Sequence, residues 1–252
     1  MGLKDLFSKE GRKERSLAKA CAKAVNKKIK PDDRRPALYT LLEDGSDQAV
    51  AALLRRFTFI YDTNIVMDEE EKKEVHKGLL EMGERVLPEL RKHLHSAPTL
   101  SWGLRMLTEI CDHETTWVVL SDMLQDYDPE YERDPTRKLQ LMTFLGDFKD
   151  QRAVDALLPF VEDHDETVRF NTVEALFKQG DDKAREPLLQ LMTNEEEESL
   201  RIKHRVAEGF VETGWQVKGY RGTVEKLVAG HLSDFMVDGK GRIKRKKVRK
   251  ES

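Results

Sequence analysis

At 252 residues, with 38% hydrophobic and 36% charged side chains, the chain is long enough to bury a core, too charged for a thick globule and too apolar to be disordered throughout. Its net charge of -3 conceals a division, because residues 1–35 carry +7, residues 238–252 carry +6, and the remainder carries -16. There is no run of about 18 apolar residues to span a membrane, and the opening MGLKDLFSKEGRKERS has no secretory core or cleavage site.

The two cysteines, Cys21 and Cys111, lie far apart and imply neither a disulfide framework nor a zinc site. They fit a reducing, cytoplasmic setting. The first predicted element is a basic helix from Lys4 to Lys28, within an N-terminal region 1–33. Leu17, Ala20, Cys21, Ala24 and Val25 recur there at helical spacing. Leu3, Leu6 and Phe7 add a small apolar face, and the expected role is to cap the first of the helix pairs beginning at residue 34.

Over residues 34–232 one pattern recurs: an apolar helix, a short turn, and a second apolar helix. The copies are RPALYTLLEDGSDQAVAALLRRF, KKEVHKGLLEMGERVLPELRKHL, the less regular SWGLRMLTEICDHETTWVVLSDML, RKLQLMTFLGDFKDQRAVDALLPFV, TVRFNTVEALFKQGDDKAREPLLQLM, and LRIKHRVAEGFVETGWQVKGYRGTVEKLV with a longer middle. Equivalent turns fall at Gly45, Gly83, Cys111, Lys149, Gly180 and Gly214, at a mean interval near 34 residues. Each helix pair leaves an apolar flank that only a neighbouring pair covers, so the expected fold is all-α, a solenoid of about six hairpins. Two longer loops are expected: residues 58–71, with exposed aromatics beside an acidic run, and residues 126–136, acidic with two tyrosines. Residues 233–252 are expected to form a flexible basic tail.

The order V-R-F-x-x-V-E-A-L, a Gly-Asp-Asp turn, then A-x-x-P-L-L-x-L resembles a bacterial HEAT-like repeat of the PBS-lyase type. The fourth copy carries the same skeleton, with Ala153, Leu157 and Leu158 matching Ala184, Leu188 and Leu189. The resemblance implies a repeat scaffold, a fold that serves binding proteins and a few enzymes. Deoxyhypusine hydroxylases, built from similar repeats, hold two irons through several His-Glu pairs. Here one pair, His113-Glu114, falls in a turn, and the corresponding position of the fifth copy reads Arg169-Phe170. A single pair does not assemble such a ligand shell. His93 and His95 point about 200° apart on a helix, and no nucleophile elbow, phosphate loop or dinucleotide fingerprint is present. No catalytic residue, metal or cofactor is therefore predicted. Trp102, Trp117 and Trp215 are read as packing between hairpins.

In such arrays the second helix of each hairpin lines the concave surface. That assigns Arg55, Arg56, Arg91, Lys92, Asp155, Glu162, Glu186 and Gln190 to partner binding. The leading expectation is a non-catalytic adaptor for other proteins. The alternative rests on the basic ends: Arg242, Lys244, Arg245, Lys246, Lys247, Arg249 and Lys250 place seven cations in nine residues. These would meet nucleic-acid phosphates, an anionic membrane or protein surface, or the acidic body itself.

Overall fold

The structure is a computed structural model and describes residues 9–61 and 63–246. The chain divides into two compact units, Met1–Asp126 and Tyr127–Ser252. The first holds α1 (Lys9–Ala24) and three hairpins: α2 (Pro31–Asp44) with α3 (Asp47–Arg55), α4 (Ile65–Met82) with α5 (Leu87–Ser96), and α6 (Ser101–Ile110) with α7 (His113–Leu124). The second holds α8 (Thr136–Asp147) with α9 (Gln151–Leu157), α10 (Glu166–Gln179) with α11 (Arg185–Thr193), and α12 (Leu200–Thr213) with α13 (Arg221–Gly230). It closes with β1 (Phe235–Val237) and β2 (Ile243–Arg245). The fold is thus all-α apart from this small sheet.

Within each unit the hairpins stack in register. First helices pack on first helices (α2–α4–α6 and α8–α10–α12), and second helices pack on second helices. All six predicted turn positions lie between the two helices of a pair. Short polar side chains start the helices. Ser46, Asn64, Asp112, Asp150, Asp165 and Ser199 each accept a backbone N–H of the first turn. Gly180 and Gly214 end α10 and α12 at φ 73° and 71°, left-handed geometry that side chains with a Cβ disfavour. The helix α1 packs on α2 and α3, burying Ala20 and Ala24, so it covers the open flank of the first hairpin. Leu3, Leu6 and Phe7 lie outside the described residues.

A chain of charges runs along the stack in the second unit. Near the start of each first helix stands a cation: Lys138, Arg169 and Lys203. Each donates to carbonyls of the preceding loop, Lys138 to Asp128 and Glu130, Arg169 to Asp163 and His164, and Lys203 to Asn194. Lys138 and Arg169 also pair with a carboxylate before the next hairpin. Lys138 Nζ lies 2.9 Å from Asp163, and Arg169 Nε lies 2.7 Å from Glu197. Hydrogen bonds to a charged partner are the strong ones, so each fixes one repeat against the next.

Three expectations are corrected. The 58–71 segment is only in part an exposed loop: α4 begins at Ile65, and Phe59, Asp68 and Glu71 are buried, while Ile60, Ile65 and Val66 are exposed. The partners of Asp68 and Glu71 are Arg34 and Arg56, which make burial of the carboxylates tolerable. His113-Glu114 opens α7 instead of lying in the turn, because Asp112 caps that helix. Finally, residues 235–245 are no tail. Phe235 pairs with Arg245, Met236 with Lys244 and Val237 with Ile243, with Phe235 and Ile243 wholly buried. In F-M-V-D-G-K-G-R-I-K-R an apolar triplet and a basic stretch holding one isoleucine flank a glycine-containing turn. Asp238 accepts the N–H groups of Lys240 and Arg242, and Gly241 sits at φ 73°. The hairpin packs on α12 and α13 and covers the last apolar flank. Residues 247–252 lie outside the described residues.

Candidate functional site

The second helices of the second unit leave an open cleft of about 470 Å³ between α9, with its 3-10 extension Leu158–Glu162, and α11. Leu158, Pro159, Val161, Pro187 and Leu191 supply its apolar lining, and Asp155, Glu162, Gln190 and Asn194 its polar one. Repetition of A-x-x-x-L-L in consecutive hairpins creates this arrangement. Ala153 and Leu157 of one copy, and Ala184, Leu188 and Leu189 of the next, point into the core. Between them, Asp155 and Pro187 line the cleft, whereas Val154 is buried. Of the cleft carboxylates, Asp155 pairs with Lys183 at 3.0 Å, a hydrogen bond and charge that raise the lysine pKa.

Of the predicted contact residues, Asp155, Glu162 and Gln190 meet in this cleft, and Glu186 is exposed on α11 beside it. In the first unit, Arg55 is exposed and lines a shallower cleft of about 320 Å³ with Cys21, Val25 and Gln48. Lys92 is exposed and bound to Glu89 at 2.5 Å, and Arg91 is half-buried.

Arg56 does not face a groove. It is fully buried, because the chain turns after α3 and carries its guanidinium inward. There Arg56 pairs with Glu71 and Asp68 and donates to the Phe59 carbonyl at 3.1 Å. Arg34 reaches the same Glu71 oxygen at 2.6 Å and also donates to the carbonyls of Ile29 and Asn26. The two guanidiniums lie 5.1 and 4.5 Å from the centre of the Phe59 ring. Lys72 completes the group at 2.7 Å from Asp68. Burial pushes the Asp68 carboxyl up, but hydrogen bonds from Lys72, Arg56 and the Tyr61 N–H outweigh it and hold it below the usual range. Sequence reasoning passes over this cluster and over the Lys138–Arg169–Lys203 series. For the series a signal exists: Asp163 precedes Arg169, and Glu197 precedes Lys203, by the same spacing at an interval equal to the mean repeat.

The tryptophans pack as expected where their partners are described. Trp102 stacks on Phe57 and meets His76 edge-on, and Trp215 packs on Phe177 and Phe210. His76 is buried 3.0 Å from Glu109, with its pKa lowered by burial against the pull of that carboxylate. His95 bridges two helices, with Nδ1 2.5 Å from Asp126 and Nε2 3.1 Å from Asp122. Arg169 and Phe170, at the position a hydroxylase would give to ligands, serve the Glu197 ion pair and a stack beneath Arg201. Among the described residues, no group of three or more His, Cys, Asp or Glu is placed to hold a metal.

Residues 130–206 match the HEAT repeats family. The matched HEAT repeats run from the loop before α8 into α12, rather less than a third of the chain, and contain both the cleft and the Lys138–Arg169–Lys203 series. This stretch is similar to HEAT repeats. No curated protein matches the chain. Among the described residues, no helix is long and apolar enough to cross a membrane.

Proposed function

We propose that the chain is a non-catalytic, cytoplasmic interaction scaffold that seats a partner protein in the cleft between α9 and α11. The observation that carries this reading is the cleft itself, with an apolar floor, two carboxylates and two amides, and no lysine or arginine among its lining residues. A surface held by stacked helices binds without a large ordering penalty. Its composition suits a partner segment that offers apolar side chains flanked by cations or hydrogen-bond donors. HEAT repeats commonly serve this kind of association, which supports the same reading.

The test is affinity capture from native lysate, then titration of the purified partner against wild type and the Glu162→Arg/Gln190→Arg variant. Both positions are exposed, so the variant is expected to fold. Binding is expected to weaken at least about tenfold, the loss of roughly 1.4 kcal/mol. Unchanged affinity would place the partner on another surface, and a form lacking residues 247–252 should bind as wild type does.

A further inference from the structure

The C-terminal hairpin arranges its cations in a way that a mobile tail would not. Its register places Phe235, Val237, Ile243 and Arg245 on one face and Met236 and Lys244 on the other. The inward face is taken up by the fold. Phe235 and Ile243 are buried, and Arg245 lies over the Phe235 ring while pairing with Glu208. By the same alternation Arg242, Lys244 and Lys246 belong to the outward face, where Lys246 is exposed, Lys244 is half-buried and Arg242 is half-buried with its Nε covered. Their backbone is held at several points: Val217 N–H to Gly241 carbonyl at 2.8 Å, a bridge between Gln216 and Arg242, and Lys246 N–H to Asp234 carbonyl at 2.7 Å. Two carboxylates lie close by: exposed Asp234, which the same alternation puts on the outward face, and Asp238, which accepts the N–H groups of Lys240 and Arg242. Those bonds, and the charges of Lys244 and Arg242, keep Asp238 ionised below the usual range. Among the described residues, Lys240, Lys244 and Lys246 are in no ion pair.

We propose that this outward face binds single-stranded nucleic acid through its phosphates, with Arg242, Lys244 and Lys246 as the contacts. Alternate residues of a strand stand about 6.7 Å apart, the scale on which an extended single strand repeats its phosphates. A row of cations one residue wide matches a linear polyanion better than a plane of headgroups. The face offers a membrane little to insert, since Met236 is its one exposed large apolar side chain. No aromatic residue lies on it, so binding comes from counterion release and is indifferent to base identity. Residues 36–237, which carry -16, repel phosphate from the stretch before the hairpin. The site is separate from the α9–α11 cleft and does not depend on it.

The experiment is fluorescence anisotropy of labelled 20-nucleotide oligo-dT and oligo-dA with the full-length chain. Three phosphate contacts predict a slope of log affinity against log salt near -2, hence a loss of at least about 16-fold between 50 and 200 mM salt. Both oligonucleotides should bind alike. The Lys244→Gln/Lys246→Gln variant should make the slope shallower by about 1.4, and Lys246→Gln alone, at an exposed position, by about 0.7. Lys226→Gln, an exposed cation on α13, should leave it unchanged. The proposal is overturned if neither oligonucleotide binds at 50 mM salt. It is equally overturned if the hairpin variants bind as wild type while Lys247→Gln/Arg249→Gln/Lys250→Gln removes binding, or if vesicles containing phosphatidylserine bind and the oligonucleotides do not.

Discussion

Glu71 shows how far a residue's role departs from its appearance. In the run D-E-E-E-K-K it reads as part of a solvated acidic face, yet its carboxylate lies wholly buried between Arg34 and Arg56. Its partners stand 37 and 15 residues away in sequence, beyond the reach of any local pattern. Removing one member of a buried ionic group strands the others in a poor dielectric. Glu71→Ala is therefore expected to cost about 3–5 kcal/mol in urea denaturation, whereas an exposed neighbour such as Glu70→Ala should stay within about 0.5 kcal/mol. Equal effects would mean that the arginines find water when the carboxylate is gone.

His95 gives a prediction about pH at the same scale. Both ring nitrogens face carboxylate oxygens, which accept and do not donate, so the arrangement asks for a proton on each nitrogen. Burial lowers the pKa, and the bonds to Asp126 and Asp122 with their charges more than reverse this, so the folded value is raised. A raised value means that the stabilisation is complete below the unfolded pKa of about 6.5 and is lost as pH climbs through the folded value. The stability difference between wild type and His95→Gln should accordingly shrink as urea titrations move from pH 5.5 to pH 9. A difference that grows with pH would contradict the doubly bonded imidazolium.

At the level of elements, close approach between stacked helices rests on small residues. Gly146 of α8 lies so near α10 that an added Cβ would stand 2.8 Å from the Ala175 Cα and 2.9 Å from its Cβ. A backbone atom does not swing aside, so α8 and α10 would have to separate. Gly146→Ala should destabilise by about 1–3 kcal/mol, against the gain of up to about 1 kcal/mol that alanine brings to an exposed helix interior. A thermal melt at or above that of wild type would show that the two helices slide apart freely. The stacking of first helices on first helices is readable from the apolar period, and so are the six turns. The 3-10 extension Leu158–Glu162, which shapes one wall of the cleft, is not, because the copy continues apolar through Phe160 and Val161 and hides the change of pitch. The terminal hairpin escapes a reading by composition for a related reason. Its cations dominate the segment, while the two residues that anchor it, Phe235 and Ile243, are buried on α12 and α13 and on each other's strand.

For the molecule as a whole, each unit contains three helical hairpins with an added element, α1 in the first and the β-hairpin in the second. In a repeat array the terminal units expose an apolar flank that some different element must cover. The basic ends noted in the sequence thus include the two covers. Their charge is compatible with that duty because lysines and arginines leave one face free for apolar contact. The acidic remainder carries the stretch that matches HEAT repeats and the cleft, so the proposed protein and phosphate contacts fall on surfaces of opposite charge.

The sequence by itself determined the helical class, the pairing of helices and the positions of the turns. Those come from periodicity, which is a local property with a period of about 3.6 residues. Only the tertiary structure decided that Arg56 is interior, that Asp68 and Glu71 are its counterions, and that Ile243–Arg245 is a strand paired with Phe235–Val237. A charge looks the same in sequence whether it meets water or a partner. Which of the two it meets is decided by residues tens of positions away, brought close only when the hairpins stack.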